Sequence, residues 1–384
     1  MTTHSNEKDA EILQKPNSAL RTTYRMLRKQ WGADKIKKYI GSYKNSWFAY
    51  ASSESQRKSA ASGAIITSLL AFLLKEGKID GALVCKSVVA DGKVRPQFFI
   101  ALNEEELLAA QGSKYIAVDF NQDALPLIRS FNGRLAVAAL PCDATHLRHA
   151  CEIDPGLKEK IALVITLFCG HNSRPELTDM IIRKLSKGGR KLKDFRYRQG
   201  HWRGSLMAEF EDGGKVEKPF FYFSVYQNLY FFCQQKCHHC HDHTGYDGDL
   251  SVGDIWSMPM KANPIKHNAV ITRTPAGDAV FKRALDAGVI TANAEPIEEI
   301  CEGQARSLPF HYNTSARAKA GQMLRIKIKD SVNEKVRLND FIVAWMALFN
   351  EKISRSPAGQ TLIRRIPRFL LMLYLYLMKG LESI

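Results

Sequence analysis

This chain of 384 residues has no G-x-G-x-x-G run, so an ordinary Rossmann dinucleotide site is not expected. Its opening stretch, MTTHSNEKDAEILQKPNS, lacks an apolar core segment; a secretory leader is not expected, and a cytoplasmic protein is. The apolar run near the other end, Phe369 to Met378, is ten residues, too short to cross a bilayer, which takes about 20. Eight cysteines spaced unevenly behind no leader do not read as a disulfide framework. In a reducing compartment they bind metal or stay free.

Acidic residues are in deficit, 39 against 55 basic ones, giving a net charge of +16. The excess is concentrated at Arg183, Lys184, Lys187, Arg190, Lys191, Lys193, Arg196, Arg198 and Arg203, with more at Lys35, Lys37, Lys38 and in the last thirty residues. A solvated basic face accounts for this, and so does a polyanionic partner: cofactor phosphates, an acidic electron-carrier protein or an anionic membrane surface. No nucleic-acid module accompanies the charge, so nucleic acid is not expected. The apolar run follows Arg364, Arg365 and Arg368 and contains Tyr374 and Tyr376. A helix of that kind lies on a membrane surface, making the protein peripheral to the inner face, or docks on its own core or on a partner chain.

The pattern in between is α/β. Ser62 is placed to cap a helix in which Ile65, Ile66, Leu69, Leu70, Leu73 and Leu74 recur at helical spacing, with Gly77 ending it. GALVCKSVV, QFFIAL, YIAVDF, RLAVAAL and KIALVITLF read as strands; EEELLAA, DALPLIRSF, TDMIIRKL and AGDAVFKRALDAG read as helices between them. The expected class is a mixed, mainly parallel sheet with covering helices, plus a helical C-terminal extension. SLMAEFEDGGKVEKPFFYFSV reads as a hairpin turning at Asp212-Gly213-Gly214. Three parts follow: a charged segment 1–38, a main domain 39–305 and a basic helical extension 306–384.

Cysteine placement points to an inorganic centre. Cys237 and Cys240 form a Cys-x-x-Cys pair in CHHCHDHTGYDGDLSVGD, while Cys142 and Cys169 each end an apolar run, where a strand would deliver them to the sheet's carboxyl edge. Four thiolates suit an iron-sulfur cluster or tetrahedral zinc, and spacing alone does not choose. His238, His239, His241 and His243 would complete a local zinc site without the distant cysteines. Cys142 and Cys169 also fit as small buried hydrophobes, and Cys233 is a substitute ligand. Cys85, Cys151 and Cys301 read as structural. His171 is either a proton donor beside a redox centre or an ordinary loop histidine.

In order along the chain, SGAIITSLLAFLLKEGKIDGALV, GSKY, PC at Cys142, FCG at Cys169, RYRQGHWRG, CHHCHD and LSVGDIW resemble the beta subunit of the coenzyme F420 hydrogenase/dehydrogenase family, over roughly residues 40 to 305. That resemblance implies a 4Fe-4S cluster on Cys142, Cys169, Cys237 and Cys240, and an FAD held by Ser62, Gly63, Ser113, Lys114 and Tyr115. Arg57 and Lys58 add charge beside the Ser62 phosphate seat. It implies that Gly253 permits close approach to flavin or cluster and that Asp254 anchors that loop, though an Asp-capped structural turn explains both nearly as well; Arg198, in the basic RYRQG segment, either holds a substrate or flavin phosphate or is an ordinary surface arginine. Many relatives begin with a ferredoxin-like Cys-x-x-Cys-x-x-Cys-x-x-x-Cys-Pro segment, of which this chain has no trace, so a separate carrier is expected. Relatives' glycines are replaced at Ala64, Ala139 and His201, which points to an altered pocket. The resulting expectation is a flavin and iron-sulfur oxidoreductase. It would pass electrons between a small organic substrate or deazaflavin and an acidic, ferredoxin-like carrier or partner redox subunit. The competing expectation is a non-catalytic, zinc-stabilised partner or membrane-surface assembly module.

Overall fold

The computed structural model describes residues 31–186, 189–201, 203–256, 260 and 263–383. Eight strands form one sheet: β1 Asn45–Ala51, β2 Gly81–Ala90, β3 Lys93–Ala101, β4 Leu135–Ala139, β5 Ile161–Leu167, β9 Leu250–Asp254, β10 Asn268–Thr272 and β11 Ile290–Ala294. Their order is β11-β1-β10-β9-β5-β4-β2-β3. The four central strands, β9, β5, β4 and β2, run parallel, and antiparallel partners close both flanks. β4 and β5 are near-continuous apolar runs because both faces are covered. Ala136, Leu163 and Ile165 meet Ile65, Leu69 and Leu73 of the helix Ile65–Lys75 on one face. Val137 and Val164 meet Ala144 and Leu147 of the helix Pro141–Ile153 on the other.

The expected hairpin forms over Ser205–Pro219, in a sheet of its own, but the FYFSV end of that stretch belongs to the helix Phe221–Asn228. β6 Leu192–Gln199, β7 Ser205–Phe210 and β8 Lys215–Pro219 make three antiparallel strands, with Gly213 at φ 81° in the turn. Their apolar face shares a core with the C-terminal helices: Phe195, Tyr197 and Leu206 lie with Val343 and Met346 of the helix Leu338–Ile353 and with Leu371, Leu375 and Met378 of the helix Arg368–Ser383. The extension is thus built into the molecule. At the other end the helix Ala33–Ile40 straddles the boundary expected at residue 38 and buries Ile36 and Ile40 against Phe48 and Ile255. The rest of the charged segment, residues 1–30, lies outside the described residues.

Two local expectations fail. YIAVDF is not a strand: only Ile116 makes a single bridge, to Ser173, and Asp119 ends the stretch by capping the short helix Phe120–Asp123. Ser62 does not cap the helix expected after it. That helix starts at Ile65 behind Ala64, which takes φ 66°, and the Ile65 N–H donates to the Asn268 side chain at 3.3 Å. Ser62 instead donates its hydroxyl to the His267 carbonyl at 2.7 Å.

Candidate functional site

The four expected ligand cysteines come within electrostatic reach of one another at the carboxyl edge of the parallel strands, though not in the arrangement of a ready-made metal site. Cys142 is the second residue of the helix Pro141–Ile153, just past the end of β4, so it sits at a helix N-terminus and not in the strand. Such a position favours a thiolate. Cys169 lies two residues beyond β5. Cys237 is carried by the 3₁₀ turn Gln235–His239, and Cys240 caps it. Leading into this turn, Tyr230 and Phe232 both hold φ 61°, a left-handed conformation that costs non-glycine residues of order 1 kcal/mol each. Contacts from the extension hold it: the Phe232 N–H donates to Ser354 Oγ at 2.9 Å.

The thiols sense one another. Burial, then the charges of Cys237, Cys142 and Cys240, push Cys169 well above an ordinary thiol. Burial and then Asp143 raise Cys142, and burial raises Cys240 to about 12. Cys237 alone is lowered, by a hydrogen bond from Cys233 first and by the Asn172 N–H, 3.4 Å from its sulfur. A buried group of thiols in this state becomes a set of thiolates only with a cation to bind them. Cys233 is therefore the partner of Cys237 in this arrangement. Cys85 lies in β2, and Cys151 and Cys301 lie in helices, as expected of structural residues.

The histidines do not make a local zinc site. His239 Nδ1 accepts from the Lys329 N–H at 3.1 Å, and His241 Nδ1 lies 3.1 Å from Ser331 Oγ. His238 is buried, near Tyr230, and His243 bridges Cys169 O and the Gln304 side chain. Four imidazoles with four destinations do not share an ion, and among the described residues no three His, Cys, Asp or Glu side chains stand ready around a single metal ion. His171, stacked on Tyr230, is held neutral by burial at a pKa of about 4, so it is no proton donor near neutral pH.

One residue that the sequence did not mark is central. Arg317, in the helix Thr314–Leu324, is 2% exposed, and its guanidinium donates to His238 O at 2.8 Å, Cys240 O at 2.7 Å, His311 O at 3.0 Å and Phe310 O. Among the described residues it has no carboxylate partner; the charges that favour its cation are those of Tyr230 and of Cys240, Cys233 and Cys237. A buried cation left uncompensated is costly, so the fit is to a centre that turns those cysteines into thiolates. Four soft donors and one fixed positive charge suit an anionic metal-thiolate group.

A small, open cleft lies beside this group, lined by Ser62, Arg198, His201, Asp254, Trp256, Lys266 and His267. Arg198, 4% exposed in β6, donates to Asp254 Oδ2 at 2.5 Å, the Tyr115 hydroxyl at 3.3 Å and Ala61 O at 3.2 Å, with Trp256 5.0 Å from its guanidinium. Burial alone would lower its pKa; Asp254 and Tyr115 outweigh burial and raise it. Phe168, next to Cys169, separates the two regions: a Cβ on Gly253 would stand 2.0 Å from the Phe168 ring. A side chain at Gly253 would therefore take the space that Phe168 fills. A polar link runs alongside, from Cys169 O through His243 to Gln304, whose Nε2 donates to Asp254 O at 2.8 Å.

The other expected cofactor residues are partly engaged. Gly63 admits no side chain, since its Cβ would lie 2.8 Å from Ala49 O and 2.9 Å from Asn268 N. Arg57 donates to the carbonyls of Ala51 and Ser52, at 2.6 and 2.8 Å, finishing the end of β1. Lys114, beside the partly buried Ser113, folds back on the carbonyls of Ala110, Gln111 and Gly112. Ser62, Tyr115, Arg198 and Asp254 are thus brought together at the cleft, whereas Arg57 and Lys114 bind backbone. Three further members of the basic cluster meet carboxylates: Arg190 pairs with Asp212 at 2.7 Å, Lys193 with Glu209 at 2.9 Å and Arg196 with Asp194 at 3.4 Å.

Residues 47–122 match the N-terminal part, and residues 132–298 the C-terminal part, of the family described as coenzyme F420 hydrogenase/dehydrogenase, beta subunit. The chain belongs to that family. It is 28% identical over 282 residues, 69% of this chain and 88% of the relative, to a coenzyme F420 hydrogenase subunit beta of Methanothermobacter thermautotrophicus. A coenzyme F420-dependent sulfite reductase of Methanocaldococcus jannaschii is 27% identical over 254 residues, 62% of this chain but only 36% of that longer protein. The fold is shared with a chain of the F420-reducing NiFe hydrogenase complex of Methanosarcina barkeri, at TM-score 0.57 and 21% identity, covering 76% of this chain and 98% of that one. These relatives support an oxidoreductase role. Arg317 lies beyond both matched regions.

Proposed function

We propose that this protein is a flavin- and iron-sulfur-dependent oxidoreductase that moves electrons between a small organic substrate or deazaflavin coenzyme and a protein electron carrier or partner redox subunit. The observation that carries this reading is that four partly buried thiols lie within electrostatic reach of one another, with Arg317 buried among the carbonyls of two of their neighbourhoods and lacking a carboxylate partner among the described residues. In it, Cys142, Cys169, Cys237 and Cys240 hold a 4Fe-4S cluster, and the cleft of Ser62, Arg198, Asp254 and Lys266 takes an FAD. When bound, the flavin would trade a hydride with the organic partner and single electrons with the cluster. The chain's part is to orient and to balance charge. Arg198, fixed by Asp254 and Tyr115, offers a rigid cation at the cleft, and Ser62, its hydroxyl donated to the His267 carbonyl, helps to line it. Phe168 keeps water from the space between cleft and cysteines, and Arg317 offsets negative charge on the cysteine side.

A reduced deazaflavin added to anaerobically purified protein is expected to bleach the bound flavin absorbance, and Arg198→Gln to slow that step by about tenfold or more. Retained FAD in the parent that no hydride donor reduces would overturn the reading.

A further inference from the structure

The helix Arg368–Ser383 presents two different faces. Its inner face is spent on the core, where Leu371, Leu375 and Met378 are each 1% exposed. Its outer face is equally apolar and is covered by nothing among the described residues: Phe369 and Leu373 are 68% exposed and Tyr376 and Leu377 59% exposed. Those positions recur at helical spacing and form one stripe along the helix. Leu362, 58% exposed on the preceding helix Pro357–Arg365, stands in the segment just before it. Charge around the stripe has one sign. Residues 357–381 include Arg364, Arg365, Arg368 and Lys379 and not one Asp or Glu; the nearby Glu382 is taken by Arg306.

We propose that this stripe docks the protein on an anionic bilayer surface, the helix lying in the headgroup plane with Phe369, Leu373, Tyr376 and Leu377 in the lipid and the arginines on the phosphates. No described helix is long and apolar enough to cross, so the contact is lateral. Charge decides against a second copy as occupant. Parallel pairing would set Arg364, Arg365 and Arg368 against themselves, and antiparallel pairing would set Arg368 against Lys379. Anionic headgroups complement both ends of the helix.

Flotation of the full chain with vesicles tests this independently of any redox activity. The parent is expected to float with phosphatidylcholine vesicles containing phosphatidylglycerol and to remain behind with phosphatidylcholine alone. Arg364→Gln with Arg365→Gln should lower binding about tenfold and flatten its salt dependence. Phe369→Ser with Leu373→Ser should abolish it, near-ultraviolet circular dichroism confirming that these exposed positions leave the fold intact. A parent that ignores anionic vesicles, that binds neutral ones equally well, or that forms a dimer through this stripe without binding lipid would overturn the proposal, as would undiminished binding in either double variant.

Discussion

A guanidinium buried against four carbonyls, with no carboxylate partner among the described residues, makes Arg317 the residue whose substitution says most about its surroundings. Arg317→Met should cost about 3–5 kcal/mol in the metal-loaded protein, the range for breaking a buried charge pair, and clearly less in the stripped protein. Denaturant unfolding of both forms checks this; equal losses would mean that Arg317 serves the backbone alone. Gly253 makes a narrower case. Gly253→Ala drives a methyl into the Phe168 ring and should cost about 1–3 kcal/mol, with Phe168→Leu recovering part of it. If the two substitutions simply add, the contact is not the reason for the glycine. Lys114 supplies a pH test. Burial holds its pKa at about 8 against an ordinary 10.5, with Cys85 offsetting only part of the effect. The unfolded chain thus binds more protons between those values, so the stability linked to Lys114 grows from pH 8 to 10.5 and is lost as pH falls back through 8. The stability of Lys114→Met relative to the parent should accordingly fall by about 3 kcal/mol across that window, measured by urea unfolding at each pH.

Among elements, the two faces of the helix Arg368–Ser383 should differ sharply in what they contribute to folding. Leu375→Ala is expected to cost about 2–5 kcal/mol and Leu373→Ala no more than about 0.5, read from thermal unfolding. Comparable losses at both positions would mean that the outer face is covered in the free protein. The strands most legible in the sequence were the central ones: β2, β4 and β5 are branched, apolar and bounded by turn residues. The flanking strands β1 and β11 were not, because NSWFAYA and ITANA mix small and polar residues and owe their extended form to antiparallel partners far along the chain. YIAVDF misled for the opposite reason. It has the right residues, but after the bridge at Ile116 no strand lies beside it. Ser62 was plausible as a cap from local sequence alone, and only the arrival of Asn268 on β10 displaced it.

At the scale of the molecule, the nearness of Cys142 and Cys169 to Cys237 and Cys240 was readable from the rule that parallel strands deliver their sites to one edge. Arg317 was not, since ARAKAG carries no motif and its role exists only because the extension folds back over the Cys-x-x-Cys turn. The basic excess is partly offset by residues distant in sequence. A run of cations from Arg183 to Arg203 looks continuous in sequence, yet the hairpin supplies Glu209 and Asp212 opposite it. Reversing Lys191, which is exposed, should therefore slow reduction by an acidic carrier only about twofold; a much larger effect in stopped-flow kinetics would restore that face as the docking site. The central claim concerns the four thiols. Analysis of anaerobically purified protein should find about four irons and four acid-labile sulfides per chain, both lost in Cys237→Ser and in Cys169→Ser. One zinc per chain with no sulfide, or iron and sulfide unchanged when Cys169 is replaced, would contradict it.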